Sequence, residues 1–128
     1  MIKVENVAGK GRGIIATTSI VRGTSIEWAP VAPFQARQWQ WINKTDIFKY
    51  CFAHPQNYNA DKDTDGYIVF GLSSLCNHST NPNAYINWVQ RETGLWVNLI
   101  ALSSIQAEEE VSISYTNIDR YSCASNFV

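Results

Sequence analysis

Residues 71–84 read Gly71-Leu72-Ser73-Ser74-Leu75-Cys76-Asn77-His78-Ser79-Thr80-Asn81-Pro82-Asn83-Ala84. Leu72 to Cys76 has the spacing of one apolar helical turn, and a side-chain amide and an imidazole follow it directly. Asn77 and His78 suit either of two roles, capping a helix end or contacting a polar ligand. Beyond this stretch, Tyr85–Val89 and Leu95–Ala101 flank Arg91-Glu92-Thr93-Gly94, the pattern of a hairpin. A charged turn, Glu108-Glu109-Glu110, leads into Val111-Ser112-Ile113-Ser114-Tyr115, a strand by strict alternation, and an irregular tail from Thr116 to Val128 follows.

Upstream, Tyr67–Phe70 is a short apolar strand, preceded by a polar loop from His54 to Gly66. From Gln35 to Phe52 the signals mix, and Trp39, Ile42, Ile47 and Phe48 can share one helical face. A strand around Ile26–Val31 carries Pro30 and Pro33, which mark an edge or its end. Ile2–Val7 and Ile14–Ala16 read as strands on either side of Gly9-Lys10-Gly11-Arg12-Gly13.

Composition agrees with a β-rich chain. Isoleucine and valine together number 22 against five leucines, and sixteen residues are aromatic. The 128 residues suffice for one domain, expected to span 1–117 with 118–128 as a tail. A formal charge of -1 argues against general nucleic-acid or membrane-surface binding. No apolar run has the length of a membrane span, and the first residues lack a signal peptide's apolar stretch. Three cysteines, an odd count at irregular spacing, fit a reducing compartment better than a disulfide framework. The expected location is therefore intracellular: cytoplasmic, or nuclear in a eukaryotic or viral setting. The sequons at Asn43 and Asn77 are not expected to carry glycans.

Three patterns invite ligands. Asp61-Lys62-Asp63-Thr64-Asp65-Gly66 copies the first half of a calcium loop, but Leu72 stands where the closing bidentate glutamate belongs. Cys51-x-x-His54 and Cys76-x-His78 lack the usual spacing of zinc ligand pairs, so no metal is expected. Gly9–Gly13 lacks the closing Lys-Ser/Thr of a phosphate loop and supports only a tight turn with approachable backbone.

In order, however, G-K-G-R-G-I-I-A-T (9–17), N-H-S-T-N-P-N-A (77–84) and E-E-V-S-I-S-Y (109–115) resemble the SET domain of protein-lysine methyltransferases. The resemblance runs from Lys3 to about Asn117 and looks closest to small stand-alone viral and bacterial SET proteins. It implies a mainly β fold of several small curved sheets with a C-terminal pseudoknot, and S-adenosylmethionine as methyl donor. By similarity, the backbone of Lys10, Gly11 and Arg12 holds the donor's amino-acid end, and Asn77 and His78 contact its methionine portion and adenine. Tyr115 is the implied catalytic tyrosine. Tyr50 is a donor or channel contact, and Ile113 and Tyr121 join Tyr50 and Tyr115 along the substrate channel. Ile113 stands two residues before the catalytic tyrosine, where it offers no hydroxyl, and products beyond monomethyl-lysine are expected.

The sequence also departs from the family. Glu108 occupies a usual glycine position, so that turn is expected to differ, and no cysteine cluster follows Tyr115. The tail, through Tyr121 or Phe127, is left to close the substrate groove. The implied substrate is a lysine of a histone or other basic protein, selected by the SET surface itself or by homodimerisation. The alternative is a non-catalytic module that keeps the fold and binds a peptide or small ligand.

Overall fold

In a computed structural model, which describes residues 1–59 and 64–117, the β-branched runs fold into nine short strands in two sheets. Strands β1 (Ile2–Val7) and β2 (Gly11–Ala16) form a hairpin. It is extended by β9 (Glu110–Ile113) and then by β6 (Asn77–His78), giving the order β1-β2-β9-β6. The second sheet has the order β4-β5-β3-β8-β7, from β3 (Ser25–Phe34), β4 (Cys51–Ala53), β5 (Gly66–Val69), β7 (Ala84–Arg91) and β8 (Gly94–Ala101). The core lies between the sheets. Ile14, Ala16, Val111 and Ile113 from the first meet Ala84, Leu99 and Ala101 from the second, together with Ile20, Cys76 and Ile105.

The expected prolines lie inside a ten-residue strand rather than at its end. From Ser25 to Pro30, β3 pairs with β8; from Val31 to Phe34 it pairs with β5 on the other side. Each half therefore has one unpaired edge, where a residue without an N–H costs no ladder bond. The mixed stretch from Gln35 is not one helical face. It breaks into 3-10 turns at Ala36–Gln38 and Asp46–Tyr50 around a single α turn, α1 (Trp39–Ile42). Trp39 alone of the predicted face is buried, edge-on to Phe34 and Phe48, while Ile47 is exposed.

Strand β9 also departs from its alternating pattern. It stops at Ile113, and Val111, Ser112 and Ile113 are all buried. The Asn83 side chain covers it, donating from Nδ2 to the Glu110 carbonyl (2.8 Å) and accepting the Ser112 N–H at Oδ1 (2.9 Å). Strands β6 and β9 run parallel, the one parallel pairing among the described strands, and the β7–β8 hairpin forms the crossover between them.

At the turn before β9, Glu108 has a φ of 70°. That is the left-handed region, which glycine adopts freely and glutamate rarely does. Within the acidic loop, Gly66 sits against the Phe34 ring, Asp65 Oδ1 accepts the Ala36 N–H (3.1 Å), and Trp39 Nε1 donates to the Thr64 carbonyl. Those residues anchor the loop to the chain after β3. Asp61–Asp63 and the tail, including Tyr121 and Phe127, lie outside the described residues.

Candidate active site

Two polar networks tie the three sequence motifs together. In the first, the Asn77 amide Nδ2 donates to Glu110 Oε2 (2.8 Å) and to the Arg12 carbonyl (3.3 Å), and Lys10 Nζ pairs with Glu110 Oε1 (3.1 Å). The approach is so close that a Cβ on Gly13 would lie 2.7 Å from Asn77 Nδ2, which explains glycine there by contact rather than by turn geometry. Gly9 and Gly11 are the turn glycines, with φ of 77° and 78° and open space where a Cβ would stand. Their peptide groups are approachable from outside.

The second network surrounds Tyr115. Its hydroxyl donates to the Cys76 carbonyl (2.7 Å), and its backbone N–H donates to His78 Nδ1 (2.8 Å). The two rings lie 5.2 Å apart. His78 is 4% exposed, and burial, followed by the nearby Lys10 charge, lowers its pKa. A neutral ring is required here, because a protonated Nδ1 cannot accept the Tyr115 N–H.

The turn that delivers Cys76 is itself fixed from afar. The Glu27 carboxylate accepts the N–H groups of Leu72 (2.9 Å) and Ser73 (2.8 Å) and the Ser73 hydroxyl (2.7 Å) at the start of the 3-10 turn Leu72–Leu75. Gly71 must lack a side chain because Glu27 and Ala29 press against it. Among the described strands, β6 lies at the edge of its sheet.

Beside Tyr115 lies a cavity of about 240 Å³, whose largely apolar wall includes Phe52, Ile86, Trp88, Leu102, Ile113 and Tyr115. Lys49 and Cys51 also line it, whereas Tyr50, half-buried beneath the Lys49 ammonium, is not part of that wall. The expected channel contact from Tyr50 is therefore not made at this cavity, and Tyr121 lies outside the described residues. Burial pushes the Cys51 thiol up to about 11 and the Cys76 thiol higher still. Among the described residues, no three His, Cys, Asp or Glu side chains converge as a metal site. No helix among them is long and apolar enough to cross a membrane.

Glu27, Asn83, Glu110 and Asn117 contribute to this region without having been assigned a role from the sequence. Asn83 and Glu110 carried a signal, their places in the N-P-N motif and in the acidic pair before β9.

Residues 11–116 match the model of the SET domain family. A histone-lysine N-methyltransferase of Schizosaccharomyces pombe, named as H3 lysine-37 specific, is 27% identical over 89% of this chain and 72% of its own length. A Debaryomyces hansenii enzyme named as H3 lysine-36 specific is 39% identical over 51% of the chain. The chain spans only 9% of that relative's length. Among solved structures, the Neurospora SET domain protein DIM-5, a histone lysine methyltransferase, superposes with a TM-score of 0.66 at 18% identity, over 89% of this chain and 51% of its own. A candidate histone methyltransferase of Plasmodium falciparum gives the same TM-score at 21% identity, over 90% of this chain and 96% of its own. With the motif glycines, the Asn77-His78 edge strand and Tyr115 gathered in one place, and with 11–116 matched as a unit, the chain belongs to the SET-domain family.

Proposed function

We propose that this chain is an S-adenosylmethionine-dependent protein-lysine N-methyltransferase, acting on a lysine of a histone or another basic protein. The observation that carries the reading is Tyr115, whose hydroxyl is fixed against the Cys76 carbonyl at an apolar cavity beside the motif turn. Methyl transfer to an amine is an in-line displacement that needs alignment more than strong acids or bases. When bound, the donor supplies a methyl group already activated on a sulfonium. The residues present suit that donor: the open glycine turn at Lys10, Gly11 and Arg12 offers backbone to its amino-acid end, and the edge strand Asn77–His78 lies beside that turn for the rest. The Asn77 side-chain nitrogen already holds Glu110 and the Arg12 carbonyl, so donor contacts through this residue rest on its other atoms.

Phe52, Ile86 and Ile113 would surround the substrate's alkyl stem and desolvate its ammonium, which lowers the amine's pKa. The Tyr115 hydroxyl donates its hydrogen bond to the Cys76 carbonyl, so its phenol oxygen serves as an acceptor that helps aim the amine. Neither histidine stands as a ready general base. His78 Nδ1 accepts the Tyr115 N–H, and His54 stacks on Trp88 with Nδ1 accepting the Gln56 N–H. The amine's proton therefore leaves to solvent.

The experiment is incubation with isotopically labelled donor and histones, ribosomal proteins or a mixed lysate, read by mass spectrometry. A histone H3 peptide spanning lysines 36 and 37 is the first defined substrate to try, because the relatives are named for those positions. Label on lysine supports the enzyme. Donor binding without label on any lysine supports the non-catalytic module, and no donor binding removes both the cofactor and the reaction.

A further inference from the structure

Glu27 is a half-buried acid on β3, and the ion pairs among the described residues leave it out. Its carboxylate is filled instead by the donors of one distant turn. Oε2 accepts the Leu72 N–H, and Oε1 accepts both the Ser73 N–H and the Ser73 hydroxyl. The same turn passes the constraint on. The Ser73 carbonyl accepts the Cys76 N–H (3.2 Å), and the Cys76 carbonyl accepts the Tyr115 hydroxyl (2.7 Å). Cys76 stands between this turn and the two-residue strand β6, so its carbonyl has one anchor on each side. Glu27 itself does not line the cavity beside Tyr115. Its carboxylate reaches that cavity only through the turn.

We propose that Glu27 is a positioning residue: from outside the cavity it sets the Cys76 carbonyl, and through it the direction of the Tyr115 hydroxyl. The proposal rests on the lysine-methyltransferase reading above. With its hydrogen committed to Cys76, the Tyr115 oxygen turns its lone pairs to one fixed side, and the amine is aimed from there. An in-line displacement is sensitive to such aim, since a misplacement on the order of 1 Å can cost about a hundredfold in rate. Hydrogen bonds to a charged acceptor are about twice as strong as neutral ones, so a carboxylate holds the turn more firmly than an amide would. Glu27→Gln keeps the shape but sets an NH2 opposite the Leu72 N–H, donor against donor, and the turn must shift to relieve it.

The test is a double-mutant cycle on the full chain, pairing Glu27→Gln with Tyr115→Phe, with turnover measured on a histone H3 peptide spanning lysines 36 and 37. Alone, Glu27→Gln should lower kcat about tenfold, while KM and the S-adenosylmethionine dissociation constant stay within about twofold. In the Tyr115→Phe background the same substitution should change kcat by less than about twofold, because no hydroxyl remains to be misdirected. Melting temperature gives a second cycle that needs no turnover. Tyr115→Phe should lower it more in the wild type than in the Glu27→Gln chain, where the grip on the hydroxyl is already weakened. Ser73→Ala removes one of the three donors and leaves both backbone bonds. It should shift both cycles the same way by less, and serves if Glu27→Gln does not fold. An equal loss of kcat in both backgrounds, or an equal drop in melting temperature from Tyr115→Phe in both, would overturn the proposal, for either would make Glu27 a group of stability alone. A rise in KM with kcat unchanged would overturn it too. A wild type that shows the melting-temperature coupling but methylates no lysine would sink the enzyme reading, while the link from Glu27 to Tyr115 would stand.

Discussion

Tyr115 is gripped at both ends, by the Cys76 carbonyl at its hydroxyl and by the His78 imidazole at its backbone. Tyr115→Phe removes only the first grip. It should cost about 1 kcal/mol of stability, the worth of one neutral hydrogen bond, and leave donor affinity unchanged. Turnover should fall about a hundredfold, because the amine loses a group that aims it. Full turnover by this variant would move the catalytic role to another residue. Two positions earlier, Ile113 lines the cavity and is 2% exposed. A tyrosine there could hold an ordered water in the space that a methylated nitrogen must use, but isoleucine cannot, since such a water needs at least two polar partners. Products beyond monomethyl-lysine are therefore expected. A mass-spectrometric time course with excess donor that halts at monomethyl-lysine would refute this.

At the scale of elements, the turn into β9 carries a backbone cost that a single substitution can release. Glu108 has a φ of 70°, a conformation that costs a non-glycine residue about 1–2 kcal/mol. Its carboxylate meets Lys3 Nζ at 3.1 Å on the exposed surface, a contact that water and salt screen. Glu108→Gly should therefore raise the melting temperature, with part of the gain offset by glycine's greater freedom in the unfolded chain. A lower melting temperature would mean that the ion pair outweighs the strain. The same turn illustrates what could be read in advance. Its position in the motif was visible because the motif is contiguous, and the β7–β8 hairpin was visible because Arg91 to Gly94 carries its own turn chemistry. The handover of β3 from β8 to β5 was not, because both partners lie far along the chain. Glu27 was missed for the same reason: it caps a turn 45 residues away, and nothing local distinguishes it from a surface acid.

Across the whole molecule, buried titratable groups set limits that the reaction must work within. The two described histidines are both held below their ordinary pKa, chiefly by burial. Below about pH 6.5 the unfolded chain binds protons that the native His54 and His78 refuse, so stability should fall as pH drops through that value. Protonation of His78 also removes the acceptor for the Tyr115 N–H, so the segment around Tyr115 should loosen along with the fold. On the alkaline side the sign reverses. Cys51, raised to about 11, and Cys76, raised further, stay protonated in the native state while unfolded thiols ionise near 9.0, so stability should fall as pH climbs past that value. Turnover follows a different rule. A free lysine titrates near ~10.4, and an apolar cavity lowers that value without bringing it to neutrality unless a base assists, so kcat/KM should climb with pH from about 7 to about 9. Melting temperature and kcat/KM measured in the same buffers should thus separate, the first flat between about pH 7 and 9 while the second rises. A kcat/KM plateau already reached below pH 7 would require a tuned base. His54 would then be the first group to substitute, because its removal leaves the His78–Tyr115 contact in place. If His54→Asn abolished such a plateau, the route of the proton directly to solvent would have to be given up.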